Sequence, residues 1–595
     1  MGVTRSALMT TKSHYRIPYG VADYIKLRQG GEFYLDKTHY LPKLEEAGRF
    51  LFLIRPRRMG KSLLQSMMEC YYDLNRAEQW EALFSDTWIY ANPTDEKHRY
   101  MVLRLDFSLV HGRTVQALQE SFENYCRTEL DGFLQWYQEI IPAHSREQIL
   151  RHSSMSAAIR QLIIEAKQQQ LPSIYIFIDE YDNFANTLLA SEGREAYQQL
   201  THGRGFLRDF FAELKGASGA TGGALSRLFI TGVSPVTLDD VTSGFNIGAN
   251  ISLDHDFNAM LGFNERELEQ LFSVFGQSYS AHREVMNLWY NHYRFSRQVE
   301  ETITNSDMAL YYLKSLHRLN QPPDELIDQN IRTDYGKLRH LIQLDRKLNG
   351  SFERLHQIIN QGGIASSVKS SFPAELLANT DNFISLLYYF GLLTFSTETE
   401  RGEPKLVIPN QTVKQLIYSY IREAVDDVGL FRPDIFTIGE KLKAFAWDGE
   451  WQPFFSHLTE QLQKYSGMRD YLHGEKMIQG FLLAWLNLNP WFYALSEQEL
   501  GGGFVDLYLS PFYAKYPEMA HAWLIELKYL KRDNDNPAAR AKLISEATTQ
   551  LNRYRNDTRV LERAGHAQIH ALVLIWSGWE LVQTEEIDTP EERSV

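Results

Sequence analysis

The segment that most clearly suggests a chemical function is 55–62, where the chain reads Arg-Pro-Arg-Arg-Met-Gly-Lys-Ser. An apolar run precedes them and a helical pattern follows, so Gly60 would open a helix directly after a buried strand. Backbone N–H groups at such a helix start bind anions, and the helix dipole adds to the attraction. We predict that Lys61 reaches the β- and γ-phosphates of ATP and that the Ser62 hydroxyl ligates Mg²⁺. The predicted nucleotide-binding residues of this segment are Arg55, Pro56, Arg57, Arg58, Met59, Gly60, Lys61 and Ser62.

This segment departs from the generic phosphate-binding loop (P-loop) at Arg55. A glycine normally stands at that position, five residues before Gly60, because glycine permits a tight turn and a close approach of the backbone. Arg55, Arg57 and Arg58 also make the loop unusually basic. The alternative interpretation is a basic turn that caps a helix or touches nucleic acid.

A second chemical signal is the apolar run 174–179, which ends in Asp179 and is followed by Glu180. Carboxylates at the C-terminal end of a parallel strand lie where ligands bind in open α/β sheets. We predict that Asp179 holds the Mg²⁺ shell and that Glu180 orients or activates the attacking water. A strand followed by an acidic turn would give the same pattern. The two signals together, in the usual order, favour nucleotide binding.

The next apolar run, 227–231, ends in hydroxyl residues, and Thr231 is our candidate for contact with the γ-phosphate. A plain turn fits the same residues equally well. An arginine finger would add positive charge in catalysis, and the sequence does not choose among its candidates. These candidates are Arg208, Arg227, Arg294 and Arg297.

The C-terminal part contains two strand patterns whose alternation brings acids together. Asp506 lies in the run 504–509, and Glu526 and Lys528 share one face of the run 523–528. Two carboxylates at one point bind Mg²⁺, with Mn²⁺ as an alternative, and such an ion polarises a scissile phosphate and activates water. We predict that Lys528 positions this water or neutralises developing charge.

Two further residues are placed near this site. Glu475 stands three residues before Ile478 on the apolar stripe of a helix, and a carboxylate on a buried face needs a partner or a metal. Glu475 is therefore a predicted metal ligand, and Glu499 is the alternative. Gln550 lies four residues before Tyr554 on one face of a later helix. Because Glu-x-Lys is common by chance and alternation is ordinary for an amphipathic strand, this pattern alone carries little weight.

The spacing of apolar residues predicts the elements that position these groups. Over the first ~240 residues short apolar runs alternate with amphipathic ones, which is typical of an α/β fold with a doubly wound parallel sheet. From 257 to 422 helical spacing dominates, with a hairpin or winged element near 392–408. Gly429, Pro433 and Gly439 mark a linker over 426–439. The predicted strands of the first part are 50–55, 101–107, 174–179 and 227–231.

Six short segments of the chain together resemble the AAA-ATPase-like family of prokaryotic proteins, which often carries a C-terminal PD-(D/E)XK nuclease domain. The segments are 17–20 (Ile-Pro-Tyr-Gly), 34–38 (Tyr-Leu-Asp-Lys-Thr), 55–62, 178–182 (Ile-Asp-Glu-Tyr-Asp), 231–234 (Thr-Gly-Val-Ser) and 293–295 (Tyr-Arg-Phe). The loop of that family usually reads Arg-Pro-Arg-Arg-x-Gly-Lys-Ser, so Arg55 departs from the generic P-loop but not from this family. The resemblance covers nearly the whole chain.

The resemblance implies three domains. A P-loop NTPase (AAA+-like) domain with a parallel sheet core is expected over 1–250, a mainly helical middle domain over 251–430, and an α/β PD-(D/E)XK nuclease-like domain over 440–595. In related nuclease domains a Gln-x-x-x-Tyr-like pair supports the site, which implies a catalytic role for Gln550. The family commonly has Gly-Arg before the strand aspartate, whereas this chain has Gly503-Phe504, which puts a cation near the phosphate in doubt.

Composition bounds the class of protein. The chain has 595 residues, 44% hydrophobic and 23% charged, as in ordinary globular proteins with several domains. Two cysteines are too few for a disulfide framework and fit the cytoplasm. The net charge of -14 argues against indiscriminate coating of nucleic acid but allows a local basic channel. We expect no membrane partner, because no apolar run reaches the ~18 residues of a span, and no signal peptide.

Three functional hypotheses follow. The first is an ATP-regulated, metal-dependent nuclease that acts on DNA or RNA, with defence against foreign nucleic acid as a natural setting. The second is a regulatory or scaffold ATPase whose C-terminal module binds nucleic acid or a protein partner without cleavage. The third is a transport or remodelling motor. ATPases of this broad class often assemble, so a homo-oligomer is a further expectation.

Overall fold

The computed structural model describes residues 15–184, 188, 194–201, 205–219, 224–236, 248–331, 354–355, 358, 362–373, 376, 379–427, 434–464, 475–486, 491–500 and 503–588. The chain divides into two compact units. The first comprises Met1–Ser351 and Ala365–Thr412, and the second comprises Phe352–Ile364 and Val413–Val595. The domain boundaries at 250, 430 and 440 stay a prediction. Part of the predicted linker 426–439 lies outside the described residues.

A parallel sheet forms the centre of the first unit. Its strands are β1 Phe50–Ile54, β2 Met101–Asp106, β3 Ile174–Asp179, β4 Leu225–Gly232 and β5 Ala249–Asn250. Within the described residues the spatial order is β2-β3-β4-β1-β5, and every neighbouring pair is parallel. The strand β4 therefore stands between the strand that leads into the P-loop segment and the strand that ends in Asp179. The carboxyl ends of all three strands meet at one edge of the sheet.

The apolar character of these strands explains the sheet. Every residue of β1 and β3 is buried, as expected for parallel strands covered by helices. The helices of the first unit are α1 Tyr24–Gln29, α2 Leu41–Ala47, α3 Lys61–Tyr72, α4 Trp80–Phe84, α5 Trp88–Ala91, α6 Val115–Trp136, α7 Ala143–Leu150, α8 Met155–Gln168, α9 Arg194–Thr201, α10 Phe206–Gly219, α11 Glu265–Val274, α12 Tyr279–Trp289, α13 Ser306–Leu319 and α14 Thr380–Tyr389. Among them α3 packs on β2 and β3, and α10 packs on β4.

The part of this unit that follows β5 is mainly helical, as predicted. The helix α11 begins at a capping box in which the Asn264 side chain accepts from the backbone of Glu267, and the Glu267 side chain accepts from the backbone of Asn264. The predicted hairpin is present as the antiparallel strands β7 Thr394–Glu400 and β8 Glu403–Val407. A two-residue strand, β6 Ile364–Ala365, also pairs with β8.

The second unit contains a mixed sheet with helices. The strands are β9 Phe492–Leu500, β10 Gly503–Pro511, β11 His521–Leu530, β12 Gln568–Ser577 and β13 Glu580–Glu586, in the order β13-β12-β11-β10-β9 within the described residues. Only the β11–β12 pair among them is parallel. The helices are α15 Gln411–Asp427, α16 Ile435–Asp448, α17 Trp451–Lys464, α18 Glu475–Leu486, α19 Pro537–Arg555 and α20 Thr558–Ala564. A C-terminal α/β domain is therefore confirmed.

No helix of the described residues combines the length and the apolar character that crossing a bilayer requires.

Candidate functional site

Lys61 is the first residue of α3, and it is 5% exposed. Gly60 precedes it with φ 98°, a left-handed conformation that glycine adopts at no steric cost. The Lys61 ammonium donates to the carbonyl oxygens of Arg55 at 3.1 Å and Pro56 at 3.0 Å. The loop thus folds around its own lysine. Burial lowers the pKa of Lys61, and the charges of Glu180 and Asp179 oppose that shift.

The side chain of Arg55 turns away from the loop and into the core. It is 1% exposed, donates to the carbonyl oxygens of Ser252 and Phe257, and lies with its guanidinium carbon 4.2 Å from the centroid of the Phe295 ring. Burial lowers its pKa to about 10. These contacts fix the start of the loop to the segment after β5. Arg55 is therefore anchored by its side chain, and a contact of its backbone with phosphate stays a prediction.

The middle of the loop is held from two directions. Arg57 donates to Asn183 Oδ1 at 3.3 Å, in the turn that follows β3. Arg58 has φ 60° and forms an ion pair with Asp307 in α13, with Nη1 and Oδ2 3.5 Å apart. Met59 is fully buried, and its carbonyl oxygen accepts from Gly262 N at 3.2 Å. The predicted loop residues therefore lie together at the mouth of α3.

Asp179 connects the ends of three elements. Its Oδ2 accepts from Ser62 Oγ at 2.5 Å, and its Oδ1 accepts from Thr231 Oγ1 and from Glu180 N. The carboxylate is 1% exposed. The structure thus brings together Ser62, Asp179 and Thr231, although 117 residues separate the first two and 52 separate the last two. A hydroxyl and a carboxylate are hard oxygen donors of the kind that Mg²⁺ takes, so these residues fit the predicted ion.

Glu180 is placed beside this cluster in an uncommon backbone conformation, with φ 49°. Burial raises its pKa, while the charges of Lys61 and Arg57 lower it. A carboxylate with a raised pKa is a better proton acceptor, which suits the predicted role in activating water. Glu180 also lines the same cavity as Lys61.

A cavity of about 330 Å³ lies at the mouth of α3, within the size range of small-molecule sites. Its polar wall includes Lys61, Ser62 and Glu180. Apolar side chains such as Phe33, Leu261 and Phe263 line another part of it. This combination suits a ligand with an anionic end and a flat apolar end, as a nucleotide has.

Two polar residues near Asp179 were missed by sequence reasoning. Gln65 donates to Thr231 Oγ1 at 3.0 Å and to Ile178 O at 3.1 Å, from a fully buried position on α3. Arg104, on β2, lies 4.0 Å from Asp179 and 3.6 Å from Glu69. A charged residue inside the apolar strand 101–106 and a glutamine three residues after Ser62 were the available signals.

The arginine-finger candidates differ in their surroundings. Arg227 is buried and paired with Glu96 at 2.5 Å. Arg294 is buried and donates to the carbonyl oxygen of Glu300 at 3.2 Å. Arg208 is half-buried and Arg297 is exposed. Among the four, Arg297 is therefore the most accessible to an external ligand or partner.

In the second unit Asp506 lies on β10 and Glu526 on the adjacent β11. The register pairs Leu507 with Ile525, which sets Asp506 beside Glu526. Asp506 is 8% exposed, and its Oδ2 accepts from Leu527 N at 2.8 Å. The two predicted acids therefore converge.

Glu526 is an acid whose surroundings perturb it strongly. It is 1% exposed, and its Oε2 accepts from Lys528 Nζ at 2.8 Å. Its Oε1 is buried and receives no hydrogen bond from any residue that the structure describes. Burial raises the pKa of Glu526 to about 8, the charge of Asp506 adds to this, and Lys528 opposes it. A buried oxygen beside a second acid and without a donor fits a site for a cation.

Helix α18 adds further polar groups to this site. Glu475, the first residue of α18, is half-buried, and its charge helps to raise the pKa of Lys528. Gln479, one turn later and buried, donates to the carbonyl oxygen of Asp506 at 2.6 Å. The predicted ligand Glu475 thus lies within electrostatic reach of Lys528, and Gln479 is a contact that sequence reasoning missed. The side chain of the alternative, Glu499, lies outside the described residues.

The helix α19 borders the same site. Tyr554 donates to the carbonyl oxygen of Phe504 at 3.2 Å, which ties α19 to β10 two residues before Asp506. Gln550 is half-buried one turn earlier on α19. Phe504 itself is 57% exposed. An apolar side chain therefore faces solvent where the family commonly has arginine.

The fold and these sites define a P-loop NTPase domain joined to a nuclease-like α/β domain, and comparison with known families agrees. Residues 18–242 match the AAA-ATPase-like family, described as predicted AAA-ATPase. Residues 473–586 match the PD-(D/E)XK nuclease superfamily. The chain therefore combines an AAA-ATPase-like domain with a domain of the PD-(D/E)XK nuclease superfamily, and the resemblance found in the sequence is confirmed.

A curated relative is an uncharacterized protein in the vnfD 5' region of Azotobacter chroococcum mcd 1. It is 26% identical over 312 residues, which are 51% of this chain and 52% of the relative. The chain thus aligns with about half the length of that protein.

Proposed function

We propose that this protein binds and hydrolyses ATP with Mg²⁺ and thereby gates a metal-dependent nuclease. The observation that carries the proposal is the convergence of Asp506, Glu526 and Lys528 on adjacent strands, in a chain that also holds the Lys61 loop. Cytoplasmic location, homo-oligomer formation and a role in defence against foreign nucleic acid are parts of the proposal that rest on sequence alone.

The ATPase part is supported by the cluster around Asp179. Lys61 would meet the phosphates, Ser62 and Asp179 would hold Mg²⁺, and Glu180 would orient the attacking water. The ion, when bound, supplies charge that offsets the negative charge of the phosphates. Thr231 stands between the P-loop strand and the acidic strand, where its hydroxyl can also report on the γ-phosphate.

The nuclease part is supported by the buried acids of the second unit. Asp506 and Glu526 would hold Mg²⁺ or Mn²⁺, with Glu475 as a further ligand, and the ion would polarise the scissile phosphate and activate water. Lys528 is held by Glu526 and would offset charge that develops on the phosphate. Gln550 is proposed to support this site from α19.

A cleavage assay tests the nuclease part. The full-length protein is incubated with single- and double-stranded DNA and RNA, ATP, and either Mg²⁺ or Mn²⁺. We expect cleavage that Asp506→Asn and Lys528→Met each reduce by about a hundredfold or more, because each removes a charge used in the transition state. The matched controls are Asp533→Asn and Lys542→Met, which change exposed residues of the same unit. Cleavage that survives both site variants would sink the nuclease assignment.

A second candidate function is a regulatory or scaffold ATPase whose C-terminal module binds nucleic acid or a protein partner without cutting. The exposed Phe504, in place of a cation beside the phosphate, favours it. This candidate predicts nucleic-acid binding with no cleavage under any metal. It also predicts that Phe504→Arg strengthens binding, since a guanidinium would then face the phosphate.

A further inference from the structure

An ion pair inside the nucleotide cavity joins the P-loop to the helical part of the first unit. Arg58 and Asp307 both line the cavity, and their Nη1 and Oδ2 atoms lie 3.5 Å apart. The side chains are 29% and 11% exposed, so the pair is partly shielded from water. Asp307 is the second residue of α13, whose first turn is capped by Asn305.

Two more contacts hold the same stretch of loop. Ser306 Oγ donates to the carbonyl oxygen of Arg58 at 3.2 Å, and Gly262 N donates to that of Met59 at 3.2 Å. The start of α13 therefore contacts the side chain of Arg58 through Asp307 and the carbonyl oxygen of Arg58 through Ser306. Any movement of the Arg58 guanidinium toward a ligand would change the contacts of α13.

The charges in this cavity oppose each other. Phosphate oxygens are attracted by Arg58 and Lys61 and repelled by Asp307. A guanidinium matches phosphate as well as it matches carboxylate, so the two anions compete for it. Arg58 also keeps φ 60°, which is uncommon for a residue other than glycine and recurs at ligand sites.

We propose that Asp307 and the nucleotide phosphates compete for Arg58, and that the phosphates displace Asp307 from Arg58 on binding. Asp307 is then a positioning residue that sets nucleotide affinity and couples phosphate binding to α13. This inference rests on the proposed ATP binding and adds its regulation.

Calorimetric titration of the full-length chain with Mg-ATP and with AMP tests the proposal. Asp307→Asn removes the competing charge and keeps the shape, so we expect ATP to bind about three- to tenfold more tightly, with a smaller gain for AMP. Arg58→Ala should weaken ATP binding by about tenfold or more. The matched control is Asp381→Asn, at the second position of α14 behind the cap Asn379, outside the cavity residues.

A double variant and hydrogen exchange separate positioning from simple structural support. In Arg58→Ala the guanidinium that pairs with Asp307 is missing. The gain in ATP affinity from Asp307→Asn should therefore be smaller in the Arg58→Ala background. Amides of α13 in the Asp307→Asn protein without nucleotide should exchange as those of the unmodified protein do with ATP.

The outcomes separate this inference from the function beneath it. If the unmodified chain binds ATP and Lys61→Ala does not, but Asp307→Asn binds as the unmodified chain does, the role of Asp307 is overturned and the ATPase proposal stands. If the hydrogen exchange of the α13 amides does not change when ATP binds, the coupling is overturned and the ATPase proposal stands. If the unmodified chain binds no ATP, both fall together.

Discussion

Asp179 shows how one carboxylate can organise the site that we propose for nucleotide. Its two oxygens hold the Ser62 hydroxyl from α3 and the Thr231 hydroxyl from β4. Each hydroxyl donates its hydrogen to Asp179, so the lone pairs of its oxygen remain available to other partners. Gln65 donates to one of the lone pairs of Thr231 Oγ1. These hydrogen bonds fix the position of the Thr231 side chain, and the proposed γ-phosphate contact requires its hydroxyl to donate to the phosphate in place of Asp179.

Removal of the Thr231 hydroxyl is the first prediction. In Thr231→Val the shape is kept, but Asp179 loses one donor and the proposed γ-phosphate contact disappears. We expect ATP binding to persist and the rate of hydrolysis to fall by about a hundredfold, the lower end of the effect seen when one stabilising donor is removed. Steady-state phosphate release measures this. Thr231→Ser keeps the hydroxyl and should retain most activity, whereas equal loss in both variants would contradict the assignment.

Glu526 gives the second prediction, on pH. Its raised pKa favours a proton on the pair of acids formed by Glu526 and Asp506 at neutral pH, and a bound cation would displace that proton. A metal ion needs the carboxylate, so binding must release that proton, and the affinity for Mn²⁺ should rise with pH up to about 8 and then level off. Titration calorimetry without nucleotide at pH 6, 7 and 8, in buffers of different ionisation heat, counts the protons released.

Lys528 supplies the control for the pH prediction. Its ammonium lowers the pKa of Glu526, so Lys528→Met should move the rise in Mn²⁺ affinity to higher pH. A Mn²⁺ affinity that stays constant from pH 6 to pH 8 would show that Glu526 is not a ligand.

At the scale of elements, the position of β4 decides which side chains meet. Because β4 lies between β1 and β3, Thr231 at its carboxyl end lies between the P-loop segment that follows β1 and Asp179 at the end of β3. Gly232 follows at once, and Tyr181 and Asp182 fill the space beside it. Tyr181 donates to the carbonyl oxygen of Ser234, and Asp182 accepts from Ser234 N at 2.6 Å. The turn after β3 is thereby fastened to the end of β4.

Gly232→Ala is the prediction at this scale. An added Cβ would lie 2.3 Å from the Tyr181 ring and 2.6 Å from Asp182 Oδ1, and neither side chain can retreat without losing its hydrogen bonds. We expect the unfolding free energy to fall by about 1–3 kcal/mol, the usual cost of overpacking, and ATP binding to weaken. Thermal melting and nucleotide titration measure the two effects.

Gly216→Ala is the matched control. Gly216 lies in α10, and a Cβ added there meets nothing within 4 Å. Alanine should therefore stabilise the helix by about 0.5–1 kcal/mol. Equal melting temperatures for Gly232→Ala and the unmodified chain would contradict the proposed packing.

Elements with a strong apolar pattern were predictable from sequence. The run 174–179 matches β3 residue for residue, and α13 lies within the region 257–422 where helical spacing dominates. Several strands were missed, β5 and β9 among them. β5 has two residues, too few for any periodicity, and β9 contains the polar stretch 496–499, which weakens its alternation.

Individual contacts were harder to predict than elements. The charge on Arg55 suggested a phosphate, yet carbonyl oxygens and the Phe295 ring surround its guanidinium in the core. Asp307 lies far along the chain from Arg58, and only the fold of the helical part brings them together. Asp506 and Glu526 were predictable because strand alternation alone sets their faces. Their identity as metal ligands stays a prediction.

At the scale of the whole molecule, the two sites that we propose to act on phosphate lie in two compact units. Its net charge of -14 makes general attraction to nucleic acid weak, so selectivity must come from local groups such as Lys528. Communication between the sites is a coupling free energy, and only a measurement that changes one site and reads the other can show it.

The most direct test is the effect of ATP on cleavage in the unmodified chain and in Lys61→Ala. Initial rates on one DNA or RNA substrate are compared with and without ATP at fixed Mg²⁺. Gating predicts that ATP changes the rate of the unmodified chain by about tenfold or more, a usual size for coupled sites, and leaves that of Lys61→Ala unchanged. Equal initial cleavage rates with and without ATP in the unmodified chain would contradict the account.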